Sequence, residues 1–341
     1  MNPTVRTPGA AAAALGLVSL LALSAWSSDE AEASAEGSDL TPVNMAFEWT
    51  CAGDWSVIYS GLEEGIFEDN GIDLSYDRGQ GGSDTVPLVA AGEFDLGILS
   101  AAPVAIGAGQ DLPLTVIGAA ATVGPVTILA DPSITTPQDL QGKSLAVQTD
   151  QFEGAVWEAF VSATGIDAST IEVIPSDDAT QAEFLAGDID AYVIFYPTTS
   201  TEAILAERPD LTVMPMQDSV PTYGHVFTAN DAWLADNAEA AQGFTTAWAE
   251  SAKWVLDNYD AAYDTLVENC QEVSPEALKF SMDAYFDAYT AGSSSEDGLG
   301  SLRADELAGT QSVLVEAGLA EPVEVDEWVS EDYLPEPAVT P

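Results

Sequence analysis

His225 is the only imidazole in this chain of 341 residues, so any Ser–His–Asp or Cys–His chemistry would have to run through it. Its neighbours Thr222, Tyr223 and Gly224 form no nucleophile elbow, and the residue reads as structural or hinge-lining. Zinc needs several His or Cys ligands, which this inventory cannot supply. No Cys-x-x-Cys and no EF-hand spacing occurs. Carboxylate pairs remain. Asp188 and Asp190 stand one residue apart at an expected strand start and echo Glu93 and Asp95. Such pairs suit acid–base work, but nothing singles one out. The stretch Arg78-Gly79-Gln80-Gly81-Gly82-Ser83 lacks the Gly-Lys-Ser/Thr ending of a phosphate loop. Gly142-Lys143-Ser144 has that ending but no upstream glycine, and a strand follows it. A glycine-rich loop opening a helix still presents free N–H groups to a ligand. No catalytic centre, metal or cofactor is expected.

These groups sit in a strongly acidic chain. Seven Lys and Arg face 57 Asp and Glu, a net charge of −50. That charge repels phosphate backbones and anionic lipid surfaces, which excludes nucleic acid as a partner. The acids are spread along the whole chain, as in a solvated exterior suited to salty surroundings; a cation-binding surface is the alternative. Hydrophobic residues make up 47%, enough for a core and too many for global disorder.

The first residues carry one side-chain cation, Arg6, and an apolar run follows over 9–25. The run is short for a membrane span and suits a signal-peptide core, with small residues at Ala31, Ala33 and Ala35 for cleavage. We expect a signal peptide over 1–33 and a flexible tether over 34–41. The stretch Leu23-Ser24-Ala25 resembles a bacterial lipoprotein signal, but Trp26 stands where the lipidated cysteine would be. The protein is expected to be exported, extracellular or at the cell surface, with that anchor in doubt. Cys51 and Cys270 permit one disulfide in an exported chain; two separate buried thiols are the alternative.

The elements that position these groups alternate. Val43, Met45, Phe47 and Trp49 read as a strand, and Asp54 then caps a helix with apolar positions Trp55, Ile58, Tyr59, Leu62 and Ile66. Strands are expected over 72–76, 94–99, 114–120 and 126–130, with helices over 84–91 and 103–109. Beyond Pro132 and Pro137, strands at 144–147, 171–174, 189–195 and 211–214 alternate with helices at 153–164, 178–186 and after Pro197. Helices over 231–257, 259–269, 275–288 and 303–317 and a loose, acidic, proline-rich strap over 323–341 complete the chain. Strand–helix alternation of this length means α/β with largely parallel sheets. Leu88-Val89-Ala90-Ala91-Gly92-Glu93-Phe94-Asp95 is echoed by Phe184-Leu185-Ala186-Gly187-Asp188-Ile189-Asp190-Ala191, which implies two similar α/β lobes. We expect a first lobe over 42–131, a second over 132–222, a return to the first over 223–330, and a tail over 331–341. Two crossings make a hinge with a cleft between the lobes.

The assembled pieces resemble the solute-binding proteins of ABC importers in the nitrate, sulfonate, taurine and thiamine-precursor group. The resemblance rests on Gly65-Ile66-Phe67-Glu68-Asp69-Asn70-Gly71-Ile72-Asp73-Leu74, Gly81-Gly82-Ser83-Asp84, Val89 to Asp95, Asp139-Leu140-Gln141-Gly142-Lys143 and Leu185 to Ala191, in matching order and spacing. It implies a periplasmic-binding-protein type II fold that closes on its ligand, a monomeric chain, and an ABC permease as partner. The family also contains an enzyme branch that makes the thiamine pyrimidine with a cysteine cluster and histidine. This chain has no such cluster.

In that fold the ligand lies between strand C-ends and helix N-termini. The resemblance therefore implies ligand-binding roles for Asp54, Trp55, Gly82, Ser83, Ser100 and Ala101 in one lobe. Facing them are Gln148, Thr149, Asp150, Phe152, Glu153, Tyr196 and Thr198 in the other, with Tyr223 and His225 at the hinge. For Trp55 a core position is the alternative. Every charge among these residues is acidic. Asp54, Asp150 and Glu153 would accept hydrogen bonds from an aminopyrimidine or amine, and Trp55, Phe152 and Tyr196 would stack on a ring. A thiamine-pyrimidine precursor or related nitrogen heterocycle is the favoured ligand. A sulfonate, taurine or nitrate, held by helix N-termini and Arg78, is the alternative. A secreted enzyme on the same fold and a purely structural surface protein are the readings from other classes.

Overall fold

The computed structural model describes residues 40–341 apart from Gln80 and Asp150. The export signal with Trp26, nearly all of the tether, and the expected ligand residue Asp150 lie outside the described residues. Along the chain come β1 (Thr41–Phe47), α1 (Trp55–Glu63), α2 (Ile66–Asp69), β2 (Ile72–Arg78), α3 (Gly82–Ala90), β3 (Leu96–Ser100), α4 (Ala101–Ala108) and β4 (Leu114–Ala119). Then follow β5 (Val126–Ala130), β6 (Ser144–Val147), α5 (Phe152–Thr164), β7 (Glu172–Pro175), α6 (Asp178–Ala186), β8 (Ala191–Phe195), α7 (Thr199–Glu207) and β9 (Thr212–Pro215). The chain ends with β10 (His225–Asn230), α8 (Asp231–Asp236), α9 (Ala238–Asp257), α10 (Tyr259–Asn269), α11 (Pro275–Tyr289), α12 (Ser294–Asp297) and α13 (Ala304–Glu316). No helix of the described residues is long and apolar enough to cross a membrane.

The strands form two five-stranded sheets, in the orders β2-β1-β3-β10-β4 and β7-β6-β8-β5-β9. In the first, β1 runs parallel to β2 and β3, and β10 lies antiparallel between β3 and β4. In the second, β6 runs parallel to β7 and β8, and β5 lies antiparallel between β8 and β9. The two sheets thus share one plan. Each has three parallel strands and an outer strand, with one strand inserted from beside a crossing.

The sequence echo falls on equivalent steps, α3 into β3 and α6 into β8. Gly92 (φ 75°) and Gly187 (φ 80°) make the left-handed turn that a Cβ would oppose. The acids after them are structural. Asp95 Oδ2 accepts from the Asn44 N–H of β1 at 2.8 Å, and Asp190 Oδ2 accepts from the Ser144 N–H of β6 at 2.9 Å. Each carboxylate ties its strand to the parallel neighbour. These hydrogen bonds, with Lys143 beside it, hold the Asp190 carboxyl below the usual range against the effect of its partial burial.

Both faces of each sheet are covered. On the first, Val43, Met45 and Phe47 pack with Ile58, Phe244 and Trp248, while Ala46 on the other face packs with Val89, Val104, Leu307 and Leu314. On the second, Ile128 and Val147 pack with Trp157 and Phe160, and Leu129 and Tyr192 pack with Phe184 and Ile204. Cys51 and Cys270 are joined as a disulfide with their Cα atoms 5.8 Å apart.

The structure departs from the sequence reading in several places. β5 belongs to the second sheet, so the chain crosses before it; Pro132 marks the turn after that strand, not the crossing. β10 was not anticipated, because its six residues lie between the crossing at Pro221 and a helix. The helix expected over 231–257 breaks at Asn237, which separates α8 from α9. The C-terminal strap is packed down: Val116 donates to the Trp328 carbonyl at 2.8 Å, Ser330 donates back to Val116 at 2.9 Å, and the Trp328 ring is buried.

Candidate functional site

The loop after β1, the end of β8 and the start of β10 converge on a cavity of about 210 Å³. From the first-sheet side it is lined by Glu48, Trp49, Thr50, Cys51, Ala52 and Asp54, all on the loop between β1 and α1. Glu153 enters from the start of α5, Phe195 from the end of β8, and Pro197, Thr198 and Thr199 from the start of α7. His225 opens β10 at the hinge, and Tyr285 comes from α11. The volume is below the roughly 300–1,000 Å³ of drug-sized sites, so the cavity suits a small solute.

The two sides touch around it. Phe195 and His225 meet edge to face at 6.2 Å, and His225 lies 5.5 Å from the Tyr285 ring. Gly53 N–H donates to Ser281 Oγ at 3.0 Å, and that hydroxyl donates to the Pro197 carbonyl at 3.3 Å. One serine of α11 therefore ties the loop after β1 to the loop after β8. The disulfide fixes the same loop to the end of α10.

Electrostatically the cavity is one-sided. Its lining has three carboxylates, one imidazole and no Lys or Arg. Asp54 stands at the cap position of α1, yet its side chain makes no cap bond, and Oδ1 is buried without a partner. Burial pushes its carboxyl up to about 6; nearby His225 opposes the shift and Glu48 adds to it. Burial also raises the Glu153 carboxyl. Tyr285 is pushed well above its ordinary value by burial, with the charge of Asp54 adding to the shift. A buried acid held toward neutrality with an unpartnered oxygen, as in Asp54, is a group that a donor or cation would satisfy. The lining acids do not form a metal centre: no cluster of His, Cys, Asp or Glu among the described residues could hold an ion.

Of the residues expected from sequence, the cavity brings together Asp54, Glu153, Thr198 and His225. Ser100 and Gly82 sit behind Glu48: Ser100 Oγ donates to Glu48 at 2.7 Å, and a Cβ on Gly82 would stand 3.0 Å from Glu48 Oε2. Ala101 is buried, its N–H given to the Gly224 carbonyl. Ser83 is exposed at the start of α3. Trp55 is a core residue, stacked on Phe47 at 3.8 Å and packed against Tyr59 and Tyr76. Its helical face points to the sheet and away from the cavity.

Gln148 and Thr149 are exposed, and Thr149 lines a separate groove with Trp157. Phe152 packs between two core clusters, and Tyr196 lies against Phe280 at 5.3 Å. Tyr223 lines another cavity of about 890 Å³ with residues of α5 and α13. Sequence reasoning missed Glu48, Trp49, Phe195 and Tyr285. Trp49 continues the apolar alternation of β1 by one step, but the strand stops at Phe47 and leaves the ring 59% exposed at the cavity. Tyr285 sits among helices whose sequence pattern gives no hint of the cleft.

The geometry agrees with comparisons to known proteins. The formylaminopyrimidine-binding protein of Halalkalibacterium halodurans is 22% identical over 276 residues, covering 77% of this chain and 84% of that protein. The taurine-binding periplasmic protein of Escherichia coli is 25% identical over 211 residues, covering 61% of this chain and 64% of that protein. The crystal structure of the periplasmic aliphatic sulphonate binding protein of Escherichia coli superposes with a TM-score of 0.67 at 16% identity, covering 85% of this chain and 92% of that one. The fold is that of the periplasmic binding proteins, two α/β lobes of the type II plan. The NMT1/THI5-like family model matches residues 53–262, and the chain belongs to that family.

Proposed function

We propose that this protein is the extracytoplasmic solute-binding component of an ABC importer. It captures a small nitrogen heterocycle bearing amino groups, of the thiamine-pyrimidine precursor class, and delivers it to a membrane permease. The observation that carries this reading is the cavity lining: Glu48, Asp54 and Glu153, with no Lys or Arg, beside the rings of Trp49, Phe195 and Tyr285. Carboxylates accept from exocyclic amines, and flat rings stack on an aromatic heterocycle. A relative named for binding formylaminopyrimidine supports the ligand class. The relatives named here are binding proteins, which supports capture without catalysis. Their periplasmic titles support a site of action outside the cytoplasm.

The second reading is a sulfonate or taurine, favoured by the names of one relative and one structural neighbour. Arg78, the cation that reading would need, pairs with Glu272 at 4.0 Å and does not line the cavity. A thermal-shift panel of aminopyrimidines, amines, taurine, alkanesulfonates and nitrate separates the two. Filling a site at about 100 times its dissociation constant adds roughly 2.7 kcal/mol. A shift with an aminopyrimidine is the expected result. A shift with alkanesulfonates alone replaces the first reading by the second.

A further inference from the structure

We propose that Glu48 is a fixed internal anion that fills the anion-accepting end of the cavity and makes the protein reject anionic solutes. The inference rests on the reading of this cavity as the solute site. Glu48 follows the last residue of β1 and lines the cavity. Its Oε2 accepts the Ser100 N–H at 2.5 Å, and its Oε1 accepts the Ser100 Oγ–H at 2.7 Å. Ser100 is the cap residue of α4. Gly82, the first residue of α3, lies close enough that a Cβ there would come within 3.0 Å of the same Oε2.

The carboxylate therefore sits against the N-termini of two helices, where N–H groups and partial positive charge gather. Such a place holds a sulfonate, nitrate or carboxylate well. Here the chain's own carboxylate holds it, and an incoming anion would meet Glu48, Asp54 and Glu153 with no Lys or Arg on the lining. Like charges brought together away from water repel strongly. A donor-bearing solute meets the reverse, because each Glu48 oxygen keeps lone pairs beyond the one Ser100 uses.

The test uses three proteins and matched probes: wild type, Glu48→Gln and Glu48→Ala, titrated with ethanesulfonate and with the aminomethyl and carboxylate forms of one aminopyrimidine ring. Glu48→Gln keeps the shape and an acceptor for Ser100 while removing the charge. Wild type is expected to prefer the aminomethyl form. Both variants are expected to gain at least about tenfold in ethanesulfonate affinity and to lose roughly ten- to a hundredfold for the aminomethyl form. Ethanesulfonate binding wild type as well as it binds the variants overturns the proposal, as does a parallel loss for both probes in Glu48→Gln. If the variants do not fold, wild type alone decides: equal or better binding of the carboxylate form overturns it. Failure of the heterocycle reading shows separately. In that case wild type ignores every aminopyrimidine, while the variants still gain the sulfonate.

Discussion

The cavity of about 210 Å³ and the larger one of about 890 Å³ differ in how their charges are answered. In the larger, Arg303 donates through Nε to Asp297 at 2.6 Å, through Nη2 to Glu296 at 2.8 Å and through Nη1 to Glu306 at 3.0 Å. Gln217 Oε1 accepts from Gly124 and Thr222, and the Tyr223 N–H is given to Thr310. Its unpartnered lining atom is the Ser293 hydroxyl. In the smaller cavity the unpartnered atom belongs to a carboxyl group, Asp54 Oδ1, and no Lys or Arg lines the cavity to meet it. Leaving a buried carboxylate unanswered costs far more than leaving a hydroxyl. On the proposed reading, unsatisfied chemistry, more than volume, marks the place where a solute completes the structure.

The largest expected effect comes from the disulfide. Cys51 lines the smaller cavity, and no cysteine lines the larger. Reduction, or the double change Cys51→Ser and Cys270→Ser, should cost roughly 2–5 kcal/mol in denaturant unfolding. It should also weaken solute binding, because the loop carrying Glu48 to Asp54 loses its anchor on α10. Unchanged affinity after complete reduction would separate the disulfide from the site.

Asp54→Asn should weaken an amine-bearing pyrimidine by roughly ten- to a hundredfold in calorimetry, the worth of a charge-assisted hydrogen bond. The same substitution should hold or raise stability at neutral pH, since burial penalises the ionised Asp54. Opposite signs for affinity and stability distinguish a binding group from a structural one. Glu306→Gln, beside the larger cavity, should leave affinity within about twofold.

The pH profile carries the same contrast. The Asp54 carboxyl is raised from 3.8 to about 6 in the fold, so the folded state binds the extra proton between those values. Its contribution to stability is present below the lower value and is lost as pH rises through about 6. Affinity for a cationic amine should move the other way, rising by up to about tenfold per pH unit below that value and levelling above it. Asp54→Asn should flatten most of the slope. A residual slope belongs to Glu153, which burial raises in the same direction. The smallest effect is expected from Arg78→Ala, with affinity within about twofold of wild type in titration. A large loss there would favour an anionic ligand.

Much of the fold was legible because it is written in period and punctuation. The two Ala-Gly-acid steps marked equivalent positions of the two sheets, and alternating apolar runs located most strands. The inserted strands were the weak point. β10 is a short run whose partners, β3 and β4, come more than a hundred residues earlier. β5 looked like the end of one lobe because its apolar run meets Pro132, while its pairing with β8 and β9 is invisible locally. At the proposed site, Asp54, Glu153 and Thr198 follow from the rule that ligands lie at strand ends and helix starts, and His225 from its expected place at the hinge. That rule failed for Trp55, because a helix start has two faces and its ring chose the Phe47 side. It missed Glu48, because a residue one step past a strand end has no signature until Ser100 is seen beside it.

The most direct measurement is calorimetric titration of an aminomethyl-bearing aminopyrimidine into the wild-type protein near pH 6, in two buffers of different ionisation heat. If the cavity carrying Asp54 is the solute site, a cationic amine pulls that carboxyl into its ionised form. Binding is then saturable, and the apparent enthalpy differs between buffers by the heat of a released proton. The contradicting result is no binding of the pyrimidine, or binding with no proton exchange, while ethanesulfonate saturates the same protein.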